Sequence, residues 1–151
     1  MDIEEYYDKI YRFCYYKVQS KELAEDLTQE TFLRFLDSEY KEQGMCIRYL
    51  YTIARNLCVE AYRKNRWDEL SDDISDEGTE ADNLVDKVFV RQALSRLNDA
   101  DRELLIMRYM NEEAITDICE ITGSSRFALY RKLKKAKKEF EKLVEGGFFG
   151  E

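Results

Sequence analysis

The 151-residue chain contains no histidine and no proline, only six glycines and one tryptophan, and nowhere a long apolar run. Each absence excludes something. Without histidine there is no imidazole general base, no Ser-His or Cys-His nucleophile pair, and nothing to complete a zinc site with Cys14, Cys46, Cys58 and Cys119. Those four cysteines are scattered without a Cys-x-x-Cys pair and read as buried, reduced thiols. No Gly-rich phosphate loop of either standard spacing is present, and no pair of carboxylates is singled out by an apolar setting. The chain is therefore expected to be no enzyme, with no cofactor, no metal and no small-molecule substrate. No stretch approaches the roughly 20 apolar residues that cross a bilayer. The N-terminus opens with Asp2, Glu4 and Glu5 in place of a basic segment followed by an apolar one, so no membrane insertion and a cytoplasmic location are expected. The lack of proline, the scarcity of glycine and the absence of strand-like alternation predict an all-α fold, with one modest core or two small ones of roughly 60 residues each.

The formal net charge of −8 would argue against a nucleic-acid partner if it were evenly spread. It is not. Residues 1–66 carry 11 basic and 12 acidic side chains, residues 67–90 one and nine, and residues 91–151 twelve and eleven. The middle segment, with Asp68, Glu69, Asp72, Asp73, Asp76, Glu77, Gly78 and Glu80 close together, reads as an acidic flexible linker. About 20 such residues reach up to roughly 70 Å when drawn out. Basic residues concentrate on either side of it, five against one acidic over 48–66 and eight against two over 126–142. Such patches supply sequence-independent affinity for phosphates by releasing counterions, although either one alone could be a solvated helix face.

In the first flank, Tyr6, Ile10, Phe13 and Cys14 keep helical spacing; after a break at Gln19-Ser20, so do Ala24, Leu27, Thr31, Phe32 and Phe35. Ile47, Leu50, Tyr51, Ala54, Leu57, Cys58 and Ala61 form a third apolar stripe. Its opposite face then bears Arg48, Thr52, Arg55, Asn56 and Arg63, followed by Lys64, Asn65 and Arg66, a donor-rich ridge suited to phosphates.

Ala24-Glu25-Asp26-Leu27-Thr28-Gln29-Glu30-Thr31-Phe32-Leu33-Arg34-Phe35-Leu36 resembles the polymerase-binding helix of extracytoplasmic-function sigma factors. Tyr49-Leu50-Tyr51-Thr52-Ile53-Ala54-Arg55-Asn56-Leu57 is similar to the family's minus-ten helix, with Tyr49 where the family usually has Trp. The resemblance implies that Asp26, Gln29 and Glu30 bind the clamp helices of core RNA polymerase, and that Arg48, Arg55, Asn56 and Arg63, with Lys64 and Arg66, face promoter DNA. It also implies that the loop 37–45 captures an unstacked base, with Tyr40 or Tyr49 as a stacking partner. Read alone, Asp26 and Glu30 could be solvated charges on an exposed face.

In the second flank, Val88, Ala93, Leu94, Leu97, Leu104, Leu105 and Met107 supply two short helices separated by a cap near Asn98-Asp99. Ile115, Ile118, Cys119 and Ile121 then precede Thr122-Gly123-Ser124-Ser125 and a long helix with Leu129, Leu133, Ala136 and Phe140. This is a helix-turn-helix: Gly123 suits the left-handed end of the first helix, and Ser124 or Ser125 caps the second. In a major groove the second helix would present Ser125, Arg126, Arg131, Lys132 and Lys135. Residues 93–136 resemble the family's minus-thirty-five domain, with Asn98 in place of a usual proline and Glu113 where an apolar residue is common.

The expected layout is sigma region two over 1–66, the linker over 67–90, sigma region four over 91–145 and a frayed tail over 146–151. The tail's Phe148 and Phe149 could instead be an apolar anchor. The resemblance implies a sigma factor that joins core polymerase, directs it to promoters and helps to open them, with an anti-sigma factor as a further partner. Two alternatives remain open, a helix-turn-helix regulator acting without polymerase and a protein-interaction module that keeps the fold.

Overall fold

The computed structural model describes residues 2–39, 46–65 and 81–147. Every regular element among them is helical: α1 (Ile3–Val18), α2 (Lys21–Leu36), α3 (Cys46–Asn65), α4 (Ala81–Arg96), α5 (Asp99–Leu105), α6 (Ile115–Thr122) and α7 (Arg126–Gly147), with a π turn at Ile106–Met110.

The helix ends follow from local chemistry. Asp2 caps α1 by accepting from the Glu5 amide at 3.2 Å, and Ser20 caps α2 by accepting from the Leu23 amide at 3.2 Å. Between them Gln19 turns left-handed at φ 63°, an uncommon state for a side-chain-bearing residue. Its amide nitrogen donates to the carbonyls of Tyr16 and Arg91, which offsets that strain. Asn98 caps α5 through the Asp101 amide at 2.8 Å. Gly123, at φ 77°, closes α6 by donating to the Cys119 carbonyl. Ser125 begins α7, its hydroxyl accepting from the Ala128 amide at 3.2 Å.

Two departures from the expected layout concern boundaries. Helix α4 begins at Ala81, so residues 81–90, assigned to the linker from their charge, are helical. Residues 88–90 of that helix are half-buried, with Val90 packed against the core. At the other end α7 runs through Gly146 and Gly147, which had been placed in the tail. Residues 40–45, with Tyr40 and most of the base-capturing loop, lie outside the described residues, as do 66–80 and 148–151.

Helices α1 to α3 close on Ile10, Phe13, Cys14, Ala24, Leu27, Phe35, Leu50, Tyr51, Ala54, Leu57 and Cys58, all buried, as the three stripes predict. Phe13 and Tyr51 meet edge to face with centroids 5.2 Å apart. Thr28 and Thr31 are fully buried on α2 and return their hydroxyls to the carbonyls four residues back. Helices α4 to α7 close on Leu94, Leu97, Leu104, Ile106, Met107, Ile118, Ile121, Leu129, Leu133 and Ala136. The two groups dock, α1 and α3 of the first against α4, α5, the π turn and α6 of the second.

Candidate polymerase and nucleic-acid interfaces

Helix α2 buries Ala24, Leu27, Thr28, Thr31, Phe32 and Phe35, which turns Asp26 and Gln29 outward to water. Glu30, half-exposed, pairs with Arg34 one turn on at 2.9 Å, a surface pair worth about 0.3–0.5 kcal/mol. Leu33 continues the same face at 63% exposure, with Leu36 at 50%. The face is thus acidic and amide-bearing at one end and apolar at the other, as a protein-binding surface requires. The sequence pattern nominated the polar trio but not Leu33; its signal was a leucine off the buried stripe.

The expected DNA-facing ridge of α3 is divided in two. Thr52, Asn56, Arg63 and Lys64 are exposed. Arg48 and Arg55 lie on the same stripe but are turned to the second group of helices. Arg48 Nε sits 2.7 Å from Asp117 Oδ1, and Arg55 Nε 3.0 Å from Glu103 Oε2, with Arg55 also donating to the Ile121 carbonyl. Arg66 lies outside the described residues, and Tyr49 is half-buried with its ring 6.2 Å from that of Phe35.

Helix α7 presents its N-terminal turns to solvent. Ser125, Arg126, Arg131, Lys132 and Lys135 are all exposed. Lys132 Nζ donates to Ser124 Oγ at 2.9 Å, and Lys135 Nζ lies 3.4 Å from Asp101. Phe127, at 85% exposure, and Tyr130, at 53%, stand among these cations. Aromatics on a basic helix offer apolar contact to a thymine methyl or stacking to a sugar, and reading the charge alone had passed over both.

A polar seam that the sequence pattern did not indicate joins the two groups. Lys17 Nζ, buried on α1, lies 2.5 Å from Glu103 Oε2 and 3.2 Å from Asp99. Beyond the π turn, Tyr51 donates to Glu113 Oε2 at 2.6 Å, and Lys9 Nζ approaches the same carboxylate at 3.3 Å. Asn111 completes the seam by accepting from Arg12 and donating both to the Lys9 carbonyl and to the Tyr51 hydroxyl. Burial, with the adjoining Glu113 charge, pushes the Tyr51 hydroxyl far above its ordinary range, so it stays an O–H donor. The π turn is what aims these groups: its wider coil and left-handed Glu112, φ 55°, bring Asn111 and Glu113 inward. Of the four free thiols, Cys14 and Cys58 are buried and Cys46 and Cys119 partly exposed, a narrower burial than expected. A hydrogen bond with Cys14 and burial both push the Cys58 thiol up.

The family described as Sigma-70 region 2 matches residues 3–68, the α1 to α3 group. The ECF RNA polymerase sigma factor BldN of Streptomyces coelicolor is 28% identical, the match covering 93% of this chain and 58% of BldN. The RNA polymerase sigma factor YlaC of Bacillus subtilis is 27% identical over 91% of this chain and 87% of its own length. SigM of Bacillus subtilis, an ECF RNA polymerase sigma factor, is 29% identical over 94% and 92%. In fold, the chain is similar to one from the co-crystal structure of the sigma factor RpoE with the anti-sigma factor NepR from Bartonella quintana. There the TM-score is 0.72 and the identity 20%, over 93% of this chain and 92% of that one. The α1 to α3 group thus matches the Sigma-70 region 2 family, and a helix-turn-helix follows it. Along most of its length the chain is similar to extracytoplasmic-function RNA polymerase sigma factors.

Proposed function

We propose that the chain binds core RNA polymerase through Asp26, Gln29, Glu30 and Leu33, directs it to specific promoters, and helps to open the DNA. The observation that carries this reading is the exposed α2 face, built beside an arginine-bearing α3 and followed by a basic helix-turn-helix. Arg48, Arg55, Asn56, Arg63, Lys64 and Arg66 serve the minus-ten element. Ser125, Arg126, Arg131, Lys132 and Lys135, joined by Phe127, serve the minus-thirty-five element. Each group plays a stated physical part: arginines on α3 hold strand phosphates, while the first turn of α7 reads base edges and its later lysines fix the register.

The protein acts as a regulatory subunit without catalysis of its own, in the cytoplasm where polymerase and DNA are. No described helix is long and apolar enough to cross a membrane. An anti-sigma factor is a fitting inhibitory partner, since RpoE of Bartonella quintana was solved with one. The test is transcription in vitro from genomic fragments with purified core polymerase, followed by mapping of start sites. Discrete starts that depend on the protein support the proposal. Binding to DNA fragments without co-elution with core polymerase would favour a free helix-turn-helix regulator.

A further inference from the structure

The two carboxylates that end the seam are unusual for their kind. Glu103 and Glu113 are 5% and 4% exposed, yet both extend out of the helical group that carries them. Each is met by donors from the other group: Lys17 and Arg55 for Glu103, Lys9 and Tyr51 for Glu113. Asp117 adds a third, half-exposed pair with Arg48. Glu113 is buried and its carboxylate is met by Lys9 and Tyr51, both from the first group, so its charge answers to the interface and not to packing within its own group.

Such an interface is specific without being strong. A buried ion pair gains about what it loses in desolvation, so carboxylates fix which surfaces meet more than they hold them together. The donors in this one are also spoken for. Arg48 and Arg55 cannot hold Asp117 and Glu103 and a DNA phosphate at the same moment, because the guanidinium edges point into the seam.

We infer that the face formed by α1 and α3 is a docking surface for the second half of the same chain. Glu103 on Arg55 and Asp117 on Arg48 occupy the DNA-facing arginines, and Glu113, held by Lys9 and Tyr51, completes a latch that lasts until polymerase or DNA displaces it. The latch is an electrostatic stand-in, with carboxylates where phosphates will sit. An apparent affinity for DNA is then reduced by the fraction of molecules that are closed, and loosening the latch restores it. The inference rests on α3 facing DNA, as proposed above.

The test uses two variants of the full chain whose charge changes have opposite sign. Glu103→Gln/Glu113→Leu removes two negative charges; Lys9→Ala/Lys17→Ala removes two positive ones, taking a cation from each carboxylate without touching any residue assigned to DNA. Helical circular dichroism first confirms folding; should the first variant fail it, the second carries the test alone. Small-angle scattering then reports opening, and fluorescence anisotropy with a labelled mixed-sequence single-stranded oligonucleotide reports affinity. Both variants should expand, and both should bind about tenfold more tightly, with a steeper salt dependence as Arg48 and Arg55 reach phosphates. Simple charge arithmetic predicts the reverse for the lysine pair, which would bind more weakly. No expansion, or expansion with weaker or unchanged binding by the lysine variant, overturns the latch. Arg55→Ala/Asn56→Ala added to an opened variant isolates the underlying reading: tighter binding that these substitutions leave untouched would mean that α3 does not face DNA.

Discussion

Removing one oxygen atom should measure the seam. Tyr51→Phe keeps the ring, its edge-to-face contact with Phe13 at 5.2 Å and its fully buried packing, so no cavity forms and the apolar term is unchanged. What disappears is the 2.6 Å O–H donor to Glu113 and the acceptor for Asn111 at 2.8 Å. Asn111 retains its bond to the Lys9 carbonyl, and Glu113 retains Lys9 at 3.3 Å. The loss is therefore that of one hydrogen bond to a buried charge, about 2 kcal/mol. For a chain of this size that corresponds to a fall in melting temperature of about 4–8 °C. Urea unfolding followed by circular dichroism would give the free energy. A double-mutant cycle with Glu113→Gln should return a coupling of about 1–2 kcal/mol between the two sites. A loss below about 0.5 kcal/mol, or no coupling, would mean that water supports Glu113 as well as the phenol does, and the seam would not be a dry, specific contact.

Three further outcomes are expected. Arg55→Ala/Asn56→Ala should lower transcription from a duplex promoter more than from a pre-opened bubble, and equal losses on the two templates would argue against a role in melting. Gly123→Ala should cost about 1 kcal/mol in unfolding free energy, because the residue has open space for a Cβ but a φ of 77° that alanine tolerates poorly; a neutral result would show that the turn can relax. In the native protein at mildly alkaline pH, a disulfide reagent should modify Cys46 and Cys119 well before Cys14 and Cys58, since the raised Cys58 pKa keeps its thiolate scarce until pH rises far above that of an ordinary thiol; uniform rates would contradict the burial of the α1–α3 core.

What the sequence disclosed was local. The stripe from Leu50 to Cys58, the Asn98 cap and the left-handed Gly123 each depend on residues within two helical turns, and periodicity and capping chemistry read at that range. The acidic run misled at its far end, because a run of charge reads as linker whether or not the backbone beneath it is helical, and α4 begins at Ala81. The fates of Arg48 and Arg55 were beyond reach, as their carboxylate partners lie 69 and 48 residues away and a stripe of arginines looks the same whether it faces phosphate or Glu103. Glu113 had left a trace, an acidic residue at an apolar position, but nothing nearby named Tyr51 as its donor. On α2 and α7 the polar residues were legible from resemblance and charge, whereas Leu33 and Phe127 required a structure to show that apolar side chains stand in water.

The central claim is that α2 carries the polymerase contact, and the most direct measurement is the affinity of core RNA polymerase for the purified chain and for Asp26→Lys/Glu30→Lys. Neither side chain supports the core, since Asp26 is exposed and Glu30 pairs with Arg34 at the surface, so the variant should keep the helical content and unfolding midpoint of the parent to within about 0.5 kcal/mol. Binding to core polymerase should fall by at least about a hundredfold, as expected when paired charges in an interface are turned into like-charge contacts. Co-elution with core polymerase at undiminished affinity by a folded double variant would contradict the claim.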